Sequence, residues 1–214
     1  MRTATLLCAA ISLAATTAVA QSDSAWSDEL PPLLPETREI ALARSAAPDA
    51  VSADATVLVL KRGGYVVARE GTNGVTCYVS RTWPESLEPH CFDEEGSKTI
   101  LAMALERARL REEGVNGNEI DRAIADGLAN GEFRLPNRPA MSYMMSAGQV
   151  LFNDAGQRVG NWQPHLMIYV PFVTAADLGL GEEPSTGAAV VVDGGKPTAN
   201  IMVVVREFVE PRLP

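Results

Sequence analysis

Histidine is the scarcest chemistry-bearing residue in this 214-residue chain, with two copies, His90 and His165. Neither belongs to an HExxH or HxH pattern, and no CxxC pair is present, so the usual local zinc signatures are excluded. A glycine-rich phosphate loop, a nucleophile elbow and a Ser-His-Asp order are missing too. Gly179-Leu180-Gly181 and Gly194-Gly195 are turn glycines without the helix start that phosphate binding needs. No cofactor is therefore expected. Positive charge is also short, with 18 Lys and Arg against 27 Asp and Glu and a net charge of −9. A chain of that sign repels nucleic acid and anionic lipid, and neither is expected as a partner. The one local basic concentration, Arg107, Arg109 and Arg111, is interleaved with Glu106, Glu112 and Glu113 and reads as a solvated helix face. No apolar run reaches the ~20 residues that a membrane-spanning helix requires.

The apolar run that does exist lies at the start. Arg2, the stretch Leu6 to Ala15 and the small residues Ala18-Val19-Ala20 together form the pattern of a secretory signal peptide over residues 1–20, cleaved before Gln21. Cys8 is placed too early to be a lipoprotein acylation site and leaves with the signal. Export to the periplasm or the medium follows as the expectation. Residues 21–35, with Pro31-Pro32 and few periodic apolar positions, read as a disordered lead-in. Residues 36–214 are enough for a single domain with its own core.

Within that domain a short helix is expected from Pro35 to about Pro48. Period-two patterning then gives strands at 56–61, 65–70 and 75–81, separated by Gly63-Gly64 and by Gly71-Thr72-Asn73-Gly74, which predicts a three-strand antiparallel meander. Residues 82–96 have no period and read as a loop. Ile100, Leu101, Ala104, Leu105 and Ala108 mark a helix over 99–113, and Ile120, Ile124 and Leu128 a second after Asn118, together a helical hairpin. Strands return at 140–145, 150–152, 166–172, 188–192 and 201–208, with Asp154-Ala155-Gly156 among the turns. The valine runs 190–192 and 203–205 are apolar on both faces and are expected inside a covered sheet. The fold class is α+β, a mostly antiparallel sheet of about eight strands with a helical hairpin and one N-terminal helix.

Cys77 shares its strand face with Val75 and Val79 and points to the core. In an exported protein with two remaining cysteines, its expected partner is Cys91, a disulfide that ties the 82–96 loop to the sheet; a free thiol or a metal ligand are the other readings. His90 and Cys91 are neighbours, and neighbours in an extended chain point opposite ways, which argues against a catalytic Cys-His pair. His90, Asp93, Glu94 and His165 are the candidate nitrogen and oxygen ligands for a divalent metal, set against a solvated acidic turn with Ser97 or Thr99 as helix cap. Met141, Met144, Met145, Met167 and Met202 invite a copper(I) reading, but among Val, Ile and Tyr on strands they read as core filling. Trp83, Trp162, Tyr143 and Tyr169 are the aromatics available to line a pocket. The stretch Gly160-Asn161-Trp162-Gln163-Pro164-His165 brings an indole, an amide and an imidazole to one strand entrance.

The segments Ile40 to Pro48, Gly64 to Gly74 and Cys91-Phe92-Asp93-Glu94-Glu95-Gly96 resemble a group of exported bacterial proteins without an assigned activity. That resemblance implies export and carries over no catalytic residue. The leading expectation is a non-catalytic module of the cell envelope that binds a small ligand or an envelope protein through the 82–96 and 160–165 loops, with Trp83, His90, Trp162, Gln163 and His165 as contacts. The alternative is a metal-assisted hydrolase using His90, His165 and either Asp93 or Glu94, with a bound water as nucleophile. An assembly role through a valine-rich edge strand is a third possibility.

Overall fold

The computed structural model describes residues 33–81, 86–152, 157–180 and 189–213. The signal segment, most of the lead-in, Trp83, the 154–156 turn and Ala188 lie outside the described residues. Helix α1 (Glu36–Arg44) starts at Pro35, whose fixed φ suits a helix entrance, and a single turn α2 (Asp49–Ser52) follows Pro48. The strands are β1 (Thr56–Lys61), β2 (Gly64–Arg69), β3 (Thr76–Ser80), β4 (Glu88–Phe92), β5 (Ala140–Met144), β6 (Leu151–Phe152), β7 (Arg158–Val159), β8 (His165–Tyr169), β9 (Val190–Val192) and β10 (Asn200–Val204). Between β4 and β5 lie α3 (Glu94–Lys98), α4 (Ile100–Glu112) and α5 (Gly117–Asn130).

Eight of the strands form one sheet in the order β2-β1-β3-β4-β5-β8-β10-β9, and all its pairings are antiparallel except β1 with β3. The α+β class with a mostly antiparallel eight-strand sheet is as expected. The meander is not. After the β1–β2 hairpin the chain crosses past the start of β1 and runs parallel to it as β3, so that Thr56 faces Thr76 and Val57 faces Cys77. Gly71 makes the crossing possible: a Cβ there would lie 2.1 Å from the Thr56 nitrogen and 2.6 Å from the Asp54 oxygen. Turn glycines alone do not tell on which side of its neighbour a third strand will lie.

A second difference is β4, which forms where a loop was expected. Cys91 lies directly opposite Cys77 with a Cα separation of 4.0 Å, the spacing of a non-hydrogen-bonded pair, so Cys91 and Pro89 turn their nitrogens toward β5. The ladder with β5 reaches only Phe92 and Cys91. Pro89, lacking an N–H, therefore sits where no ladder bond is missed. Strands β6 and β7 pair with each other outside the main sheet. The expected Asn118 cap is instead Asn116, whose Oδ1 accepts from the Glu119 N–H at 3.1 Å. Asp93 caps an additional short helix, α3, while Thr99, one of the two expected caps, holds the N-cap position of α4 without a side-chain capping bond.

Two cores result from the two faces of the sheet. Val57, Val59, Cys77, Val79 and Cys91 pack under Leu42, Ala43, Ala46 and Ala47 of the α1 region. On the other face Leu58, Tyr78, Phe92, Ala140 and Tyr169 meet Ile100, Leu101 and Met103 of α4 and Ile124 of α5. The valine runs near the C-terminus are not covered as expected. Val190 to Val192 form the edge strand and are half-buried, and Val204 is 52% exposed. A doubly apolar pattern shows that neither face is polar, but the helices are too few to cover the whole sheet.

Candidate functional site

Strand alternation gives β4 two chemistries. Cys91 faces α1, where its sulfur lies 2.01 Å from that of Cys77, and both cysteines are fully buried. His90 faces the opposite way. Its ring lies parallel to that of Phe92 at 5.6 Å and tilted against Tyr78 at 5.6 Å, and its Nδ1 lies 3.0 Å from the Ser142 hydroxyl. Burial pushes the His90 imidazole down to about 3, and the nearby His165 acts in the same direction. It is neutral at any ordinary pH.

His165 opens β8 directly opposite Met144 of β5. Phe92 pairs with Ser142, whose hydroxyl meets His90, and strand alternation puts Met144, two residues after Ser142, on that same face. His90, Met144 and His165 therefore share one face of three adjacent strands, and all three are buried. Nδ1 of His165 lies 2.7 Å from the Gln163 carbonyl oxygen. A carbonyl only accepts, so Nδ1 carries the proton and Nε2 keeps its lone pair. Burial lowers the His165 pKa, and the bond to Gln163 opposes that shift only in part.

The connections at this end of the sheet hold one another. Leu87, just before β4, exchanges two backbone hydrogen bonds with Val150, at 2.7 and 2.9 Å. The Gln149 amide donates to the Trp162 carbonyl at 2.8 Å, and the Val205 N–H to that of Pro164 at 2.8 Å. Trp162 stands edge-on to His165 with ring centres 6.5 Å apart and is 52% exposed. Gln163 is exposed beside it. The approach to β4 and the 160–165 segment thus lie together. Tyr143 does not join them, because it shares the disulfide face with Cys91, and Tyr169 sits at the far end of β8.

The acids do not join them either. Asp93 Oδ1 accepts from the Gly96 N–H at 2.7 Å as the cap of α3, and Glu94 is an exposed partner of Lys98 and Arg138. At about 3.3 Å rise per strand residue, Asp93 is ~10 Å along from His90. The hydrolase constellation of His90, His165 and Asp93 or Glu94 is not assembled. Among the described residues no three of His, Cys, Asp and Glu are grouped to hold a metal.

Two features escaped the sequence reading. Ser142, fully buried, holds His90, and no local pattern in Met141-Ser142-Tyr143 announces it. The other is a buried ion pair, Glu39 of α1 with Arg81 after β3, 3.5 Å apart. Glu39 also accepts the Leu60 N–H at 3.1 Å, while its second oxygen and the Arg81 Nε have no hydrogen-bond partner. Burial raises the Glu39 pKa, and the Leu60 N–H and Arg81 counter it. A signal was present: Glu39 falls on the same helical stripe as Leu42, Ala43 and Ala46. Compared with known proteins, the chain matches no family model and has no significant match to a curated protein or a solved structure.

Proposed function

We propose that this protein is an exported, non-catalytic binding module of the bacterial cell envelope, whose ligand or partner contacts the sheet end carrying His90, Trp162, Gln163 and His165. One observation carries the reading: strands β4, β5 and β8 bring both histidines to one face, and the exposed indole of Trp162 stands at its rim. An exposed indole beside a few directed polar groups is the kind of lining that binding sites use. The signal pattern over residues 1–20 and the resemblance to exported bacterial proteins support the location, in the periplasm or outside the cell. Recovery of protein beginning at Gln21 from the periplasm or medium of a producing bacterium tests it.

The binding reading is tested by amide NMR shifts during titration with a library of small polar and aromatic compounds and with envelope extract. Expected are shifts centred on residues 88–90 and 160–165 that vanish in a Trp162→Ala variant. Shifts centred on another surface, or none at all, would remove this assignment.

A further inference from the structure

We infer that the face shared by His90, Met144 and His165 is a copper(I) site, with two imidazole nitrogens and one thioether sulfur as ligands. The inference rests on the sheet end being a ligand site and names the ligand. Its first support is placement. Met144 pairs with His165, and it shares a face with Ser142, which meets His90, so the three donors lie on one face of three adjacent strands that cannot shear without breaking their backbone pairing. Three ligands on three adjacent strands suit an ion that accepts low coordination.

The second support is the outer partner of each imidazole. Metal-binding histidines hold their second ring nitrogen in a hydrogen bond that sets tautomer and orientation. His165 donates Nδ1–H to the Gln163 carbonyl at 2.7 Å, leaving Nε2 free to ligate, and His90 is held through Nδ1 by the Ser142 hydroxyl at 3.0 Å.

The third is the character of the donors. All three donors are uncharged, and among the described residues no carboxylate is grouped with the two histidines into a metal-holding set. Placing a divalent ion in a dry, uncharged site is far costlier than placing a monovalent one. A thioether is a soft ligand that favours copper(I), whereas zinc prefers thiolate, imidazole or carboxylate in a four-ligand set. Among the described residues no thiolate is available to outcompete a thioether, since Cys77 and Cys91 are joined on the opposite face. Among the other methionines Met141 points to that opposite face, and Met167 already accepts from the Tyr169 hydroxyl at 3.8 Å.

The test is anaerobic titration of the purified protein with copper(I) kept reduced by ascorbate, which leaves a buried disulfide intact, against a chromophoric copper(I) chelator. One equivalent is expected to be held, and zinc(II) is expected not to displace it. Met144→Leu, which preserves volume, and His165→Gln are each expected to weaken binding by ~10-fold or more. Met141→Leu should leave it unchanged. Retention of wild-type affinity by Met144→Leu, or failure of the folded wild-type protein to hold copper(I) against the chelator, overturns the inference. If copper(I) fails while the compound titration still shifts residues 160–165, the copper assignment alone is lost. If both fail, the sheet end is not a binding site.

Discussion

The two halves of the sheet are built from equally apolar strands and end in different states. In β1, β3 and β4 successive residues are buried on both faces: Val57 to Leu60, Cys77 to Val79, and His90 to Phe92. In β8, β10 and β9 the middle residues Leu166 to Ile168, Ile201 to Val203 and Val190 to Val192 are only half-buried. The first half is enclosed by α1 on one side and the α4–α5 hairpin on the other. The second half lacks the α1 layer. Burial on both faces is thus a property of the layers available and not of the strand sequence. The histidine pair lies on the border, with His90 in the closed half and His165 at the first strand of the open one.

The contrast can be broken most severely at the crossing that creates the closed half. Gly71→Ala drives a Cβ against backbone atoms of residues 54–56, which cannot move aside as a side-chain tip can. A loss above ~3 kcal/mol in denaturant unfolding is expected, larger than ordinary overpacking. Next is Phe92→Ala. Phe92 is 1% exposed and contacts Tyr78, His90 and Tyr169, so a cost of about 3–5 kcal/mol is expected. Replacing Cys77 and Cys91 together by Ala removes the bridge over a separation of 14 residues, for a loss of about 3 kcal/mol by equilibrium unfolding.

Acid sharpens the comparison through His90. Its folded pKa of about 3 lies below the unfolded value of about 6.5, so the unfolded chain takes up a proton that the fold refuses. The associated stability is complete above pH ~6.5 and is lost as pH falls toward 3, at up to about 1.4 kcal/mol per pH unit. Going from pH 7 to 5 should remove about 2 kcal/mol, and His165, also depressed, adds in the same direction. Glu39 acts oppositely, because its raised pKa gives stability that is lost as pH rises. The difference in slope between the wild type and His90→Gln therefore isolates the imidazole. The smallest effect belongs to the open half: Ile168→Ala, on a half-buried strand, should cost only about 1–2 kcal/mol in the same unfolding assay. A cost equal to that of Phe92→Ala would abolish the distinction between the halves.

Much of this was legible in the residues themselves. Period-two and helical stripes located three helices and most strands, and the parity of Cys77 with Val75 and Val79 put that cysteine on the core face, its partner following from the one other cysteine expected in the exported chain. The strand at 88–92 was hidden because Glu88-Pro89-His90-Cys91-Phe92 has no alternation of apolar and polar residues when both faces are buried. The candidate site was half legible. His90, Trp162 and His165 drew attention as rare residue types, whereas Ser142 and Met144 matter only through the strands beside them.

Local sequence determined what each segment is, since turn geometry, capping and side-chain period act over a few residues. It also determined that His90 and Cys91 would face apart, because alternation holds in any extended strand. The tertiary structure alone decided that β3 passes to the far side of β1, that β5 and β8 lie beside β4, and hence that His90 and His165 share a face. Those outcomes depend on strand order, which is set by pairing between residues about 20 to 50 positions apart in the chain and leaves no mark in any short stretch of it.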